Sequence, residues 1–173
     1  MTTVPDRGAE FPGAQFLALY DRALPEVYGY LMARCSNRAL AEDLTSEAFL
    51  AAFASSADAE CTTGWLIGIA RHKLVDHWRW RARQERLLEA VASDAATEQL
   101  DPWDEQLDAL HARQVLEQLS TVHRAVLTLR YLDGLSVAET AALLDRTLHA
   151  TETLLVRARR AFRTAYSEGG SRG

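Results

Sequence analysis

The sequence contains few of the residues that interrupt helices or brace small folds: four prolines, nine glycines and two cysteines among 173 residues. Cys35 and Cys61 are too few for a disulfide scaffold and lack the partners of a zinc site, so we expect both to pack as small apolar residues. No apolar run approaches the roughly 20 residues that span a bilayer, and the N-terminus lacks the pattern of a signal peptide. These absences predict a cytoplasmic all-α protein without membrane insertion.

The motifs of common catalytic sites are also missing. We find no glycine-rich phosphate loop and no nucleophile elbow. The histidines are scattered, and His72 and His77 miss the four-residue spacing of a helical zinc pair. We therefore expect no catalytic residue, no metal, no cofactor and no small-molecule substrate, and we predict that the protein is not an enzyme.

Charge is present in blocks, although the net charge is only −5. Residues 71–86 carry six cations against two acids, residues 87–117 eight acids against one cation, and residues 124–163 seven cations against four acids. Phosphate attraction is local, because salt screens charges beyond roughly 10 Å. Two basic blocks separated by an acidic one therefore predict two contact surfaces for an extended nucleic acid.

Apolar residues recur at helical spacing in two segments. Residues 14–86 predict a compact first domain, with helices from about 15, over 39–53 with Phe53 on the apolar side, and from an N-cap at Thr63. An acidic linker, 87–103, separates it from a second domain, 104–166. We expect disordered tails at 1–13 and 167–173. The predicted helices of the second domain are 104–118, 121–132, 136–144 and 148–166.

The last two predicted helices form a helix–turn–helix pattern. Ser136 and Glu139 match a capping box, Gly134 marks the preceding stop, and the turn lies at 145–147. In this motif the second helix presents its N-terminal residues to the major groove. The alternative is a helix pair with a solvated basic face. The candidate base-reading residues are Arg146, Thr147, His149, Ala150, Glu152 and Thr153, and the candidate phosphate contacts are Arg157, Arg159, Arg160 and Arg163.

Taken in order, four segments resemble the extracytoplasmic-function group of the sigma-70 family. They are Ala41–Phe49 (AEDLTSEAF), Trp65–His77 (WLIGIARHKLVDH), Val126–Ser136 (VLTLRYLDGLS) and Arg157–Ala161 (RARRA). The resemblance implies two helical domains, sigma region 2 and a helix–turn–helix region 4, that lend RNA polymerase its promoter specificity. It also implies three partners: core RNA polymerase through its clamp helices and flap, promoter DNA, and a separate anti-sigma factor.

The first of these segments resembles the part of the family that docks on the polymerase clamp helices. Asp43 and Glu47 share one helix face. Such a pair alone is more typical of a solvated surface, and the family usually has Gln where Ser46 stands. The residues that the resemblance assigns to core polymerase binding are Glu42, Asp43, Ser46, Glu47 and Leu50.

The second segment resembles the helix that handles the −10 promoter element. Aromatic residues among cations suit single-stranded DNA, whose bases stack on rings; we expect Trp78 in the core and Trp80 exposed. The family captures a flipped base with the preceding loop, here 54–64, where the sequence assigns no pocket residue. The candidate −10 contacts are Arg71, His72, Lys73, His77, Arg79, Trp80, Arg81 and Arg83.

The last segments resemble the domain that reads the −35 element, with departures. The family often has Gly in the turn and a basic residue near the start of the second helix, where this chain has Asp145 and Glu152. Glutamate can accept a hydrogen bond from cytosine N4, so the departure predicts altered specificity or weaker −35 binding. Two other functions stay open: a stand-alone helix–turn–helix regulator, and a sigma-like interaction protein without promoter binding.

Overall fold

A computed structural model describes residues 12–35, 37–55, 62–88 and 109–170. Within these residues the chain forms helices and no strand, as the composition predicts. Two compact units are present, Met1–Leu74 and Val75–Gly173, and the limit between them falls inside a helix. The predicted linker lies outside the described residues from position 89 onward, and the predicted N-terminal tail lies outside them up to position 11.

The first unit contains α1 (Pro12–Cys35), α2 (Arg38–Ser55) and the first half of α3 (Thr63–Leu88). Buried residues four apart form one stripe along α1, as helical geometry requires: Leu19, Ala23, Val27 and Leu31. Three aromatic ring pairs join α1 to α2, and the nearest, Tyr20 with Phe49, has its ring centroids 4.7 Å apart. Burial of these apolar faces holds the two helices together.

Two predicted details of this unit are wrong. Phe53 is largely exposed, because it lies one position, about 100° of helix rotation, past the buried Ala52. Its ring packs edge to face with the Phe16 ring at a centroid distance of 5.1 Å. The N-cap of α3 is Thr62 rather than Thr63, since the Thr62 hydroxyl accepts the backbone N–H of Trp65 at 3.2 Å. Cys35 is buried as expected and donates to the Leu31 carbonyl; Cys61 lies outside the described residues.

The second unit contains the rest of α3 and four further helices. Their shared core comprises Val115, Val126, Leu127, Leu155, Ala158 and Phe162. The last helix packs on each of the three before it, and it continues to Gly170, so residues 167–170 of the predicted tail are helical. The bounds are α4 (Ala109–Gln118), α5 (Thr121–Leu127), α6 (Val137–Leu143) and α7 (Leu148–Gly170).

A π-helical turn, Thr128–Leu132, continues α5. The N–H of Asp133 bonds to the Thr128 carbonyl across five residues, and Gly134 (φ 67°) ends the segment in the left-handed region that suits glycine. The periodicity of the sequence did not predict this wider turn. The capping box that follows is confirmed, because Ser136 and Glu139 each accept the other's backbone N–H.

The turn between α6 and α7 has a left-handed residue that is not glycine, Asp145 (φ 52°). A β-branched side chain is poorly tolerated there. We expect Asp145→Val to lower the free energy of unfolding by about 1–2 kcal/mol, measured by denaturant titration. Asp145→Asn removes the same charge but tolerates the left-handed conformation; equal losses in both variants would show that charge, not backbone strain, is responsible.

Candidate functional sites

The face of α2 opposite its buried side carries all five residues assigned to core polymerase binding. Glu42, Asp43, Ser46, Glu47 and Leu50 are exposed, and Leu50 is 71% exposed. Since positions 3 and 4 apart share a helix face, the five side chains form one acidic strip that ends at the unburied Leu50. We call this strip the α2 acidic face.

The acids of the α2 acidic face differ in their partners. Glu42 accepts a hydrogen bond from Arg38 at 2.8 Å, which together with its charge raises the pKa of Arg38. Glu47 lies 3.8 Å from the Lys73 ammonium. Among the described residues, no cation lies within ion-pair distance of Asp43. The Ser46 hydroxyl donates to the Glu42 carbonyl within the helix. It therefore has less hydrogen-bonding capacity for a partner than the longer side chain of a glutamine would have.

The candidate −10 residues of the first unit are partly held by neighbours. The Nε of Arg71 donates to the Tyr30 hydroxyl at 3.3 Å, and the side chain of Arg71 is half-buried. His72 is exposed, and Lys73 forms the contact with Glu47. Of these three residues, His72 is therefore the most open to a ligand.

The second half of α3 alternates cations and rings. Trp80 is 52% exposed while Trp78 is buried, as expected. The His77 ring lies 6.2 Å from the Trp80 ring, centroid to centroid. Arg83 is exposed, and Arg81 lies 4.0 Å from Glu85. An exposed indole beside exposed cations such as Arg81 and Arg83 can stack on an unpaired base while the cations contact phosphates.

The helix–turn–helix presents fewer of its candidates than the sequence predicted. His149, Glu152 and Arg160 are exposed, whereas Ala150, Thr153 and Arg157 are half-covered. The Thr147 hydroxyl caps α7 by accepting the Ala150 N–H at 3.1 Å. Arg159 is buried, which does not favour its predicted phosphate contact. Arg163 is exposed.

Burial lowers the pKa of two titratable groups near this motif. Burial lowers the pKa of Arg146, and the charge of Arg86 lowers it further. Burial also lowers the pKa of His123, with the positive charge of Arg157 adding to the effect. The His149 ring lies 4.0 Å from the Glu152 carboxylate, one turn along α7. The exposed start of α7 therefore offers an acid and an imidazole together.

Within the Val75–Gly173 unit, candidate residues of α3 and of the helix–turn–helix line one cavity of about 330 Å³. Four arginines line it: Arg79, Arg83, Arg86 and Arg146. Arg79 lies 3.7 Å from Asp145, and Glu85 accepts both the backbone N–H and the hydroxyl of Thr121. Arg86 belongs to the basic block 71–86 but is not among the residues predicted to contact DNA.

Other kinds of site are not found in the described parts of the chain. No three His, Cys, Asp or Glu side chains there lie together as metal ligands would. None of the described helices has both the length and the apolar character needed to span a bilayer.

Two family models match the chain. The model for Sigma-70 region 2 matches residues 19–84, and the model for Sigma-70, region 4 matches residues 110–162. The first therefore includes the α2 acidic face and most of α3, and the second includes the helix–turn–helix.

Curated relatives and a solved structure agree with these matches. The chain is 34% identical over 150 residues to "ECF RNA polymerase sigma factor BldN" of Streptomyces coelicolor, covering 83% of this chain and 57% of that relative. It is 31% identical over 160 residues to "ECF RNA polymerase sigma factor SigL" of Mycobacterium tuberculosis, covering 88% and 89%. The sigma factor RpoE of Bartonella quintana, solved in complex with the anti-sigma factor NepR, matches 88% of this chain and 97% of its own. The TM-score is 0.54 at 22% sequence identity, which indicates a shared fold.

Proposed function

The chain belongs to the extracytoplasmic-function group of the sigma-70 family, and on that premise we propose that it binds core RNA polymerase and directs promoter recognition, −10 melting and transcription initiation. The observation that supports this most strongly is the α2 acidic face, which combines unburied carboxylates with an exposed leucine. An exposed leucine next to carboxylates gives a protein interface apolar area to bury beside charges to pair.

Core binding follows from the chemistry of this face. Carboxylates on a helix pair with arginines of a partner through short, charge-assisted hydrogen bonds, and Leu50 supplies apolar area at the C-terminal end of the strip. Complementary charge speeds the encounter and fixes its register. The partner that fits is a basic surface on the polymerase clamp helices.

Promoter opening is assigned to α3. The exposed Trp80 offers a stacking surface for an unpaired base, and the cations around it offer phosphate contacts. Flipping a base out of the duplex costs a few kcal/mol, which these contacts offset. The part of the preceding loop at 56–61, which would hold the flipped base, lies outside the described residues.

Recognition of the −35 element is assigned to the exposed start of α7. A carboxylate at Glu152 accepts from cytosine N4, and a good base contact discriminates by about 1–3 kcal/mol. We expect Glu152→Gln to change the preferred base at one −35 position, because the amide both donates and accepts and so suits adenine. Selection of binding sites from a randomised −35 library measures this.

The matched control is Glu168→Gln, the same change at an exposed position near the far end of α7. It should leave the selected sequences unchanged. If Glu152→Gln also leaves every position unchanged, Glu152 reads no base, and the alternative of a sigma-like interaction protein without −35 recognition gains support.

The decisive experiment is transcription in vitro with core RNA polymerase, with and without this protein. We expect promoter-specific transcripts only in its presence. Non-specific transcripts alone, together with no association between the protein and core, would contradict the proposal. Catalysis belongs to the polymerase, so the protein alone should produce no RNA. A separate anti-sigma factor that covers the same faces is the further expected partner.

A further inference from the structure

An ion pair connects the α2 acidic face to the candidate −10 residues. The Lys73 ammonium lies 3.8 Å from the Glu47 carboxylate, and both side chains are partly exposed. Of the ion pairs found among the described residues, it is the one that joins α2 to α3. One member belongs to the proposed polymerase contact and the other to the proposed DNA contact.

Lys73 is also the only lysine in the chain, which contains 18 arginines. A lysine ammonium is a compact point charge on a flexible stem, whereas an arginine fork grips a carboxylate with two parallel bonds. A cation that has to leave one anion for another therefore functions better as lysine. The one lysine of the chain therefore stands where a cation could exchange the Glu47 carboxylate for a DNA phosphate.

We propose that Glu47 holds Lys73 in the free protein and that core polymerase, by engaging Glu47, releases Lys73 to the −10 DNA. This inference rests on the proposed function. A carboxylate that pairs with a cation of the polymerase interacts less with Lys73, and the freed ammonium turns to phosphate. Core binding and DNA binding are then coupled through one side chain, so that Glu47 positions Lys73 in addition to contacting the polymerase.

The size of the coupling follows from the exposure of the pair. Partly exposed ion pairs have modest strength and are weakened by salt. Loss of the pair should therefore raise the affinity of the free protein for −10 DNA by about two- to five-fold at low salt. The effect should shrink as the ionic strength rises.

Glu42 supplies the matched control for the experiment. Glu42→Gln and Glu47→Gln each remove one negative charge from the same helix face, but Glu42 pairs with Arg38, within α2. The two variants therefore share any long-range effect of net charge on DNA binding. Only Glu47→Gln removes the contact with Lys73, and the difference between them measures that contact.

The first measurement detects the pair itself. Reductive methylation with ¹³C-formaldehyde keeps the lysine charge and labels one side chain, Lys73, apart from the N-terminal amine. We expect the methyl signal of Lys73 to move in Glu47→Gln and to stay in place in Glu42→Gln. Equal shifts in both variants would overturn the inference, whether or not the protein binds core polymerase.

The second measurement tests the coupling. Binding of the free protein to a single-stranded −10 oligonucleotide should be two- to five-fold tighter for Glu47→Gln than for Glu42→Gln, and the two should become equal in a Lys73→Gln background. An advantage of Glu47→Gln that persists without Lys73, or no advantage at all, contradicts the release of Lys73. Failure of the transcription experiment would instead contradict the proposed function.

Discussion

Replacing Asp43 by arginine should abolish stable binding to core RNA polymerase. Asp43 is exposed, and among the described residues it is the acid of the α2 acidic face without a cation nearby. A partner arginine can therefore approach it without displacing an existing ion pair. Charge reversal converts attraction into repulsion at a desolvated contact, and we expect at least a roughly 100-fold loss of affinity, about 2–3 kcal/mol.

Gel filtration, or fluorescence anisotropy of a labelled chain, measures the association of the purified protein with core polymerase. The far-ultraviolet circular dichroism of the variant should match that of the wild type, because an exposed helix residue is being replaced by a good helix former. Glu26→Arg reverses one charge at an exposed position of α1 and serves as the control. Unchanged core binding in Asp43→Arg, or equal losses in both variants, would remove Asp43 from the interface.

Truncation of Leu129 should cause the largest loss of stability among these variants. Leu129 lies in the π-helical turn and is 0% exposed. Leucine-to-alanine changes at buried sites remove apolar burial and leave a cavity, at a cost of about 2–5 kcal/mol. The second unit should unfold at lower denaturant concentration, and because the helix–turn–helix belongs to that unit, −35 binding should be lost with it.

Leu132, three residues later in the same turn, is the matched control because it is 45% exposed. Leu132→Ala makes the same chemical change, but it leaves no buried cavity and should lower the free energy of unfolding by less than about 0.5 kcal/mol. Denaturant titration followed by circular dichroism compares the two. If both variants lose equal stability, the buried side of the π-helical turn has been assigned to the wrong residues.

Helix positions were largely predictable because burial in this chain follows a regular period. The α1 stripe repeats every four residues, and the capping box and Gly134 mark helix limits through local hydrogen bonds and backbone preference. Such signals act between residues close in the chain, so the sequence contains them directly. Phe53 and the π-helical turn were mispredicted because each departs from the regular period at the end of a helix.

Candidate sites divide in the same way. The acidic strip of α2 could be recognised because positions 42, 43, 46, 47 and 50 must share a face of any regular helix. The sequence could not show which of these acids already has a partner, because the contact of Glu47 with Lys73 joins residues 26 positions apart. The burial of Arg159 beside exposed Arg160 likewise depends on how α7 packs on its neighbours, which no local rule specifies.

Family membership and helical content were thus determined by the sequence alone, because composition, periodicity and short motifs are properties of neighbouring residues. Tertiary structure decided which charged side chains are open to a partner. It buries Arg159 and joins Lys73 to Glu47. The physical reason is that ion pairing and burial depend on distances between helices, and those distances arise only when the apolar faces have packed.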